Sequence, residues 1–200
     1  MARERTARHD AGFSLPELLV SLAIGGILLG IAYTSLQSAQ WRTSSAAAVL
    51  VRQLDLARSK AVFEQNDYVV EFVAGGSQIT ILDDDNSDGS QTTSIGEKLT
   101  TIDLASEGRG VRFGFATGTP GLDGSQITKA VTFPGSPPRL TFDALGRAQS
   151  GVIYLIPEED VDRQVPDHMV ALSVNAATGR IRRWRYDSRA STPGPWRLER

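Results

Sequence analysis

The sequence predicts an α+β protein in which a long N-terminal helix leads into an antiparallel β-domain. Three observations predict it. An apolar run extends from Phe13 to Tyr33 with Glu17 as its only charge, a helical repeat continues from there to about Gln65, and after Asn66-Asp67 the pattern changes to short segments divided by turn residues.

The first element is set by length and polarity. At about 1.5 Å per residue, twenty such residues match a hydrocarbon core of about 30 Å. The preceding Met1–Gly12 is polar, with Arg3, Arg5 and Arg8 against Glu4 and Asp10. Positive charge on that side predicts a leader held in the cytoplasm and a remainder that crosses outward. A cleaved secretory signal would have a shorter apolar stretch and a small-residue site of the A-x-A kind after it, and this run has neither. Glu17 is expensive at membrane depth unless it lies shallow among headgroups or meets a cation on a neighbouring chain.

The helix is expected to continue. Leu50, Leu54, Ala57 and Ala61 recur on one helix face, while Arg52, Asp55, Arg58 and Lys60 lie elsewhere on the wheel. No proline or paired glycine interrupts Ile31–Gln65, so an unbroken helix from Phe13 would be about 80 Å long. Gly25, Gly26 and Gly30 each lower its intrinsic stability by about 1 kcal/mol relative to alanine, and in lipid such residues permit close helix packing. Strands are expected at Tyr68–Val73, Gln78–Leu82, Arg112–Ala116, Ala130–Phe133, Leu140–Phe142, Gly151–Ile156, Met169–Val174 and Ile181–Tyr186. Ala74-Gly75-Gly76-Ser77 is the expected turn of a first hairpin. The chain thus divides into 1–12, a leader; 13–36, a membrane half-helix; 37–65, an amphipathic half-helix; and 66–200, a β-rich domain.

Composition narrows the function. The 200 residues carry a net charge of -2 and no cysteine, which removes disulfides, thiolate nucleophiles and cysteine-ligated metals. His9 and His168 are the only histidines, so multi-histidine metal sites and most imidazole acid–base chemistry are disfavoured. A mean hydropathy of -0.17 does not fit a polytopic membrane protein. No nucleophile–base–acid set, phosphate loop or metal-ligand spacing appears, so a non-enzymatic role without cofactor or small-molecule substrate is expected.

Gly12-Phe13-Ser14-Leu15-Pro16-Glu17-Leu18-Leu19-Val20 behind a short charged leader resembles the signal of type IV pilins and type II secretion pseudopilins. The resemblance implies that a prepilin peptidase cuts after Gly12 and that Phe13 becomes the N-methylated first residue. It also implies that Glu17 neutralises the amine of an adjacent subunit during assembly. Pro16 departs from the commoner aliphatic residue but costs little in a first helical turn, where the N–H has no partner anyway. Leu50–Phe72, Thr141–Leu155 and Val170–Tyr186 are similar to GspH/FimT-type minor pseudopilins and minor pilins. That similarity implies a low-abundance subunit in assembly or at the tip of a pseudopilus or pilus. Its partners would be prepilin peptidase and other pilins, and its place the bacterial inner membrane, single-pass, with the β-domain in the periplasm. The family's frequent C-terminal cysteine pair is missing, so the last strands are expected to be held by packing alone.

Two further constellations stand out. Asp84-x-Asn86-x-Asp88-Gly89 fits the first half of an EF-hand calcium loop, yet the position of the bidentate glutamate is Ile95, and a solvated turn uses the same residues. The segment Thr178–Arg200 holds seven arginines against Asp187 and Glu199, a local +5, whereas Phe13–Ala177 has 11 basic and 19 acidic residues, or -8. In a strand Arg180, Arg182, Trp184 and Tyr186 share one face, and Arg183 and Arg185 the other. Gly179-Arg180-Ile181-Arg182 also matches a G-R-x-R motif of FimT-like minor pilins associated with DNA capture. The alternative function is therefore DNA uptake through Arg180, Arg182, Arg183, Trp184 and Arg185. Solvated arginines, or arginines paired with an acidic subunit, are the competing readings.

Overall fold

The computed structural model describes residues 15–35, 39–73, 75–84, 99–108, 110–190 and 194–199. They form two units, Met1–Ser38 and Ala39–Arg200. The first contributes one helix, α1 (Leu15–Ser35). Its described side chains run from Leu15 to Ile27 and none is buried. Among the described residues no helix is long and apolar enough to cross a membrane. The expected continuity of α1 with the next helix falls on residues 36–38, outside the described residues.

The second unit opens with α2 (Ala39–Glu64). Thr43, Ala46, Ala47, Leu50, Leu54, Ala57 and Ala61 are its buried residues, one stripe at helical spacing. The alanines in the stripe let the helix axis come close to the strands beneath it. The helix ends where Gln65 turns left-handed (φ 57°) and the Asn66 N–H reaches back to the Ala61 carbonyl at 3.1 Å, a Schellman-type stop.

Two antiparallel sheets follow. The first has strand order β3-β2-β1-β5, from β1 (Asp67–Phe72), β2 (Gln78–Asp84), β3 (Leu99–Asp103) and β5 (Arg139–Phe142). The second has order β4-β6-β7-β8-β9, from β4 (Val111–Phe113), β6 (Gly151–Pro157), β7 (Val170–Val174), β8 (Ile181–Tyr186) and β9 (Trp196–Glu199). Short helices α3 (Leu104–Gly108) and α4 (Glu158–Arg163) lie between strands. The α2 stripe joins Val70, Phe72 and Ile79 of the first sheet and Ile153, Leu155, Val170 and Leu172 of the second in one core. Phe72 is its aromatic centre, edge-on to Phe113 at 5.5 Å and stacked on Phe133 at 5.8 Å.

Alternation along β6 and β7 gives the second sheet another apolar face. Tyr154, Ile156, Met169 and Ala171 point away from α2 into a smaller cluster with Ala116, Ile127 and Trp196. The chain between β4 and β5 contributes Ala116 and Ile127 to this face, so β6 and β7 are buried on both sides while β8 is not.

Seven of the eight expected strands are present, β3 and β9 were not expected, and three expected segments differ in extent or type. The second strand runs two residues past Leu82, because Asp83 and Asp84 pair with Tyr68 and Asp67. Ala130–Phe133 makes only an isolated bridge, Val131 to Ile153, beside β6. Pro134 has no N–H to continue the ladder, and the Phe133 ring fills the space over Gly151, where a Cβ would sit 2.3 Å from it. Finally, β4 stops at Phe113, short of the expected Ala116, with one further hydrogen bond to β6 from the Gly114 N–H to the Tyr154 carbonyl at 3.1 Å.

Candidate functional site

Of the N-terminal signal, Gly12 and Phe13 lie outside the described residues. Glu17 is in the first turn of α1 and exposed. A carboxylate is electrostatically favoured there, where helical N–H groups lack partners. Around it Leu15, Leu18, Leu19, Val20, Leu22, Ile24 and Ile27 are all more than half exposed. In water that arrangement loses the burial free energy of every one of them.

The arginine segment is set out by the register of β8. Arg183 faces Leu172 across the β7 ladder and Trp184 faces Ala171, so the two faces separate as the alternation predicts. Their surroundings differ from the DNA reading. Arg183 Nε lies 2.5 Å and Arg185 Nε 3.8 Å from the two oxygens of Glu199 on β9. Trp184 is partly buried and its Nε1 donates to Ser173 Oγ at 2.9 Å. Tyr186 stands edge-on to Trp196 at 5.3 Å, and Trp196 Nε1 donates to the Pro120 carbonyl at 2.8 Å. These contacts add to the backbone ladder between β8 and β9, which holds the last strand without a cysteine pair. Arg180 and Arg182 remain exposed, with no ion-pair partner among the described residues.

The motif glycine has a packing reason. Gly179 is buried at φ 60°, and a Cβ there would be 2.3 Å from the Gly146 carbonyl oxygen and 2.9 Å from Arg58 Nε. Arg58, on α2, donates through that Nε to the same carbonyl at 3.1 Å. One guanidinium thus ties the turn before β6 and the turn before β8 to the helix, and only glycine fits between them.

A groove of about 890 Å³ lies between α2 and the β8–β9 margin of the second sheet. Ala48, Val51, Arg52 and Asp55 line it from the helix, and Arg180–Arg183, Leu198 and Glu199 from the strands. Burial pushes the Asp55 carboxyl up, and the neighbouring Arg58 charge partly offsets this. Arg52, Leu198 and Glu199 were not singled out by sequence reasoning. The amphipathic pattern places Arg52 on the polar side of α2, but nothing local announces that β9 returns beside it.

Of the calcium candidates, Asp84 is buried at the end of β2, in register with Asp67, while Asn86 and Asp88 lie outside the described residues. Among the described residues no three His, Cys, Asp or Glu side chains form a group able to hold a metal ion.

Residues 7–33 match the prokaryotic N-terminal methylation motif. The prepilin-type signal that Gly12–Val20 resembles is therefore present in this chain. No curated protein matches the sequence. Among solved structures, the chain is similar to the minor pseudopilin EpsH from the type II secretion system of Vibrio cholerae, at 17% identity over 73% of this chain and 95% of that one, with a TM-score of 0.48. It is also similar to the type IV minor pilin FimU of Pseudomonas aeruginosa, at 18% identity over 76% and 93% of the two chains, with a TM-score of 0.42.

Proposed function

We propose that the chain is a pilin-like minor subunit of a type II secretion pseudopilus or a type IV pilus, non-enzymatic and anchored by α1 in the bacterial inner membrane with its β-domain in the periplasm. The observation that carries this reading is the methylation motif over residues 7–33, running directly into a helix whose described apolar side chains are exposed on all sides. Such a surface is stable in lipid or against other apolar helices, and a fibre supplies the second where the membrane supplies the first. The outer face of α2 supports the same reading. Leu56 and Phe63 are 49% and 87% exposed on the side opposite the buried stripe, where a helix facing only water would carry charge.

In this reading prepilin peptidase cleaves after Gly12. Phe13 then begins the mature chain, and Glu17 pairs with the N-terminal amine of a neighbour. The pairing matters because a carboxylate alone in a low-dielectric setting is costly, whereas one beside an ammonium is compensated. Intact mass of membrane-extracted protein tests the cleavage: a chain still beginning at Met1 would overturn the assignment. Glu17→Ala is expected to insert and be cleaved normally but to be lost from complexes with other pilin-like subunits. Recovery at wild-type yield would remove the role given to Glu17. DNA capture is the alternative, and it now draws on Arg180 and Arg182 rather than on five residues, because Arg183, Trp184 and Arg185 have partners inside the domain.

A further inference from the structure

We infer that the outer face of the second sheet holds a binding site for a phosphomonoester, at the end that the apolar cluster leaves uncovered. The site goes beyond the subunit reading and does not rest on it. On this face Tyr154, Ile156, Met169 and Ala171 are buried. Toward the other end of β6 and β7 the same face turns polar. Ser173 pairs with Arg182 across the β7–β8 ladder, and the Asn175 N–H reaches the Arg180 carbonyl at 3.0 Å. Alternation therefore sets Ser173, Asn175, Arg180 and Arg182 side by side on one surface, away from α2. With Ser150, just before β6, and Thr178, they line a recess of about 370 Å³.

The hydrogen bonds already made decide what the recess offers. Asn175 Oδ1 accepts from the Thr178 N–H at 3.2 Å and from the Thr178 hydroxyl at 3.0 Å. Two donors on that oxygen fix the orientation of the amide, so its NH2 is the end left to donate. Ser173 Oγ accepts from Trp184 Nε1 at 2.9 Å, which leaves the Ser173 hydroxyl proton for another acceptor. Arg180 and Arg182 are exposed and have no ion-pair partner among the described residues. Among the described residues no carboxylate lines the recess. It therefore presents donors and two positive charges, and the ligand that matches is rich in acceptors and doubly negative. A phosphomonoester has three terminal oxygens and a charge of about -1.5 to -2 near neutral pH, and guanidinium groups meet such oxygens in pairs. The volume leaves room for the group esterified to the phosphate. An internal phosphate of a nucleic-acid duplex is a diester with one charge and a sugar on each side, so it matches neither the donors nor the recess.

The test is a calorimetric titration of the full chain in detergent micelles with methyl phosphate and with dimethyl phosphate, at a pH where the monoester is a dianion. Methyl phosphate is expected to bind saturably, and dimethyl phosphate about tenfold more weakly, the scale of losing one charge-assisted hydrogen bond. Arg180→Gln with Arg182→Gln is expected to weaken methyl phosphate binding by about tenfold or more. Both side chains are exposed, so the unfolding midpoint of that variant should not move. Ser150→Ala, also at an exposed position, is expected to weaken binding about threefold, the scale of one neutral hydrogen bond. Glycerol phosphate and dihexanoyl phosphatidic acid, each competing against methyl phosphate, separate a soluble ester from a lipid headgroup, and the tighter competitor identifies the source. Absence of saturable methyl phosphate binding, equal binding of the two methyl esters, or binding untouched by the double Gln variant would each overturn the site. Arginine-dependent capture of an unphosphorylated DNA duplex that methyl phosphate does not displace would overturn it as well. A Glu17→Ala chain that no longer co-purifies with other pilin-like subunits is expected to bind methyl phosphate unchanged, because the site is complete within one domain.

Discussion

α1 and α2 come from adjacent stretches of one sequence and treat their apolar residues in opposite ways. In α1, Leu15 and Leu22 are 74% and 76% exposed, and no described side chain is buried. In α2, Leu50, Leu54 and Ala61 are fully buried beneath two sheets. Helix propensity is ample in both, so it does not distinguish them. What differs is where the desolvation comes from. For α2 the same chain provides it through the strands. For α1 the proposed membrane and fibre would provide it, and this gives that proposal its physical content.

The sharpest way to break this contrast is to truncate one leucine in each helix. Leu54→Ala leaves a cavity between α2 and both sheets and is expected to cost about 2–4 kcal/mol in denaturant unfolding. Leu22→Ala is expected to leave the same transition within about 0.5 kcal/mol. Equal losses would mean that α1 belongs to the folded core of the domain.

A second variant asks whether α2 is held by more than its leucines. Gly179→Ala forces a Cβ against Gly146 and Arg58 at a positive φ and is expected to cost about 1–3 kcal/mol. Arg58→Ala in that background should recover little of the loss, because the atom nearest the added Cβ is the Gly146 carbonyl oxygen and the Arg58 hydrogen bond to it is lost as well. No effect of Gly179→Ala on the unfolding midpoint would free the motif glycine for a purely functional role.

The outer face of α2 should then behave as α1 does. Leu56→Ser combined with Phe63→Ser is expected to shift stability by no more than about 0.5 kcal/mol while reducing co-purification with other pilin-like subunits. Lost stability with retained association would reverse the assignment of the two faces.

The smallest effect concerns a charge at the start of β1. Burial pushes the Asp67 carboxyl above its usual 3.8, and the nearby Asp143 and Asp84 charges add to this, against one opposing hydrogen bond from the Ala144 N–H. The native state therefore binds this proton more tightly than the unfolded chain does. Its contribution is fully present below the ordinary pKa and is lost as pH rises through the raised one. Asp67→Asn, which keeps an acceptor oxygen, is expected to be more stable than the parent at neutral pH and to lose that advantage on acidification. A parent that gains stability between mildly acid and neutral pH relative to the variant would contradict the sign.

Several features were legible in the sequence because they depend on local order. The apolar run to Tyr33, the stripe Leu50, Leu54, Ala57 and Ala61, and the alternation of Ile181–Tyr186 each state their element and its buried face through a period alone. The strand β3, the short helices α3 and α4, and β9 were not legible. Leu99–Asp103 follows a polar stretch and is a strand because β2 offers it a partner. Trp196–Glu199 is four residues long and is held by β8 beside it. The same limit applies to the site. Charge counting marked the arginines of the C-terminal segment, but a count cannot say which guanidiniums have partners. Glu199 follows Arg183 by sixteen residues, and only the return of the chain as β9 places its carboxylate between Arg183 and Arg185 while leaving Arg180 and Arg182 to the solvent. Sequence by itself determined the helix, its polarity and the alternating faces of the strands, since periodicity is fixed by backbone geometry. Tertiary structure decided which charges are satisfied within the domain and which remain for a partner, since that depends on distances between segments far apart in the chain.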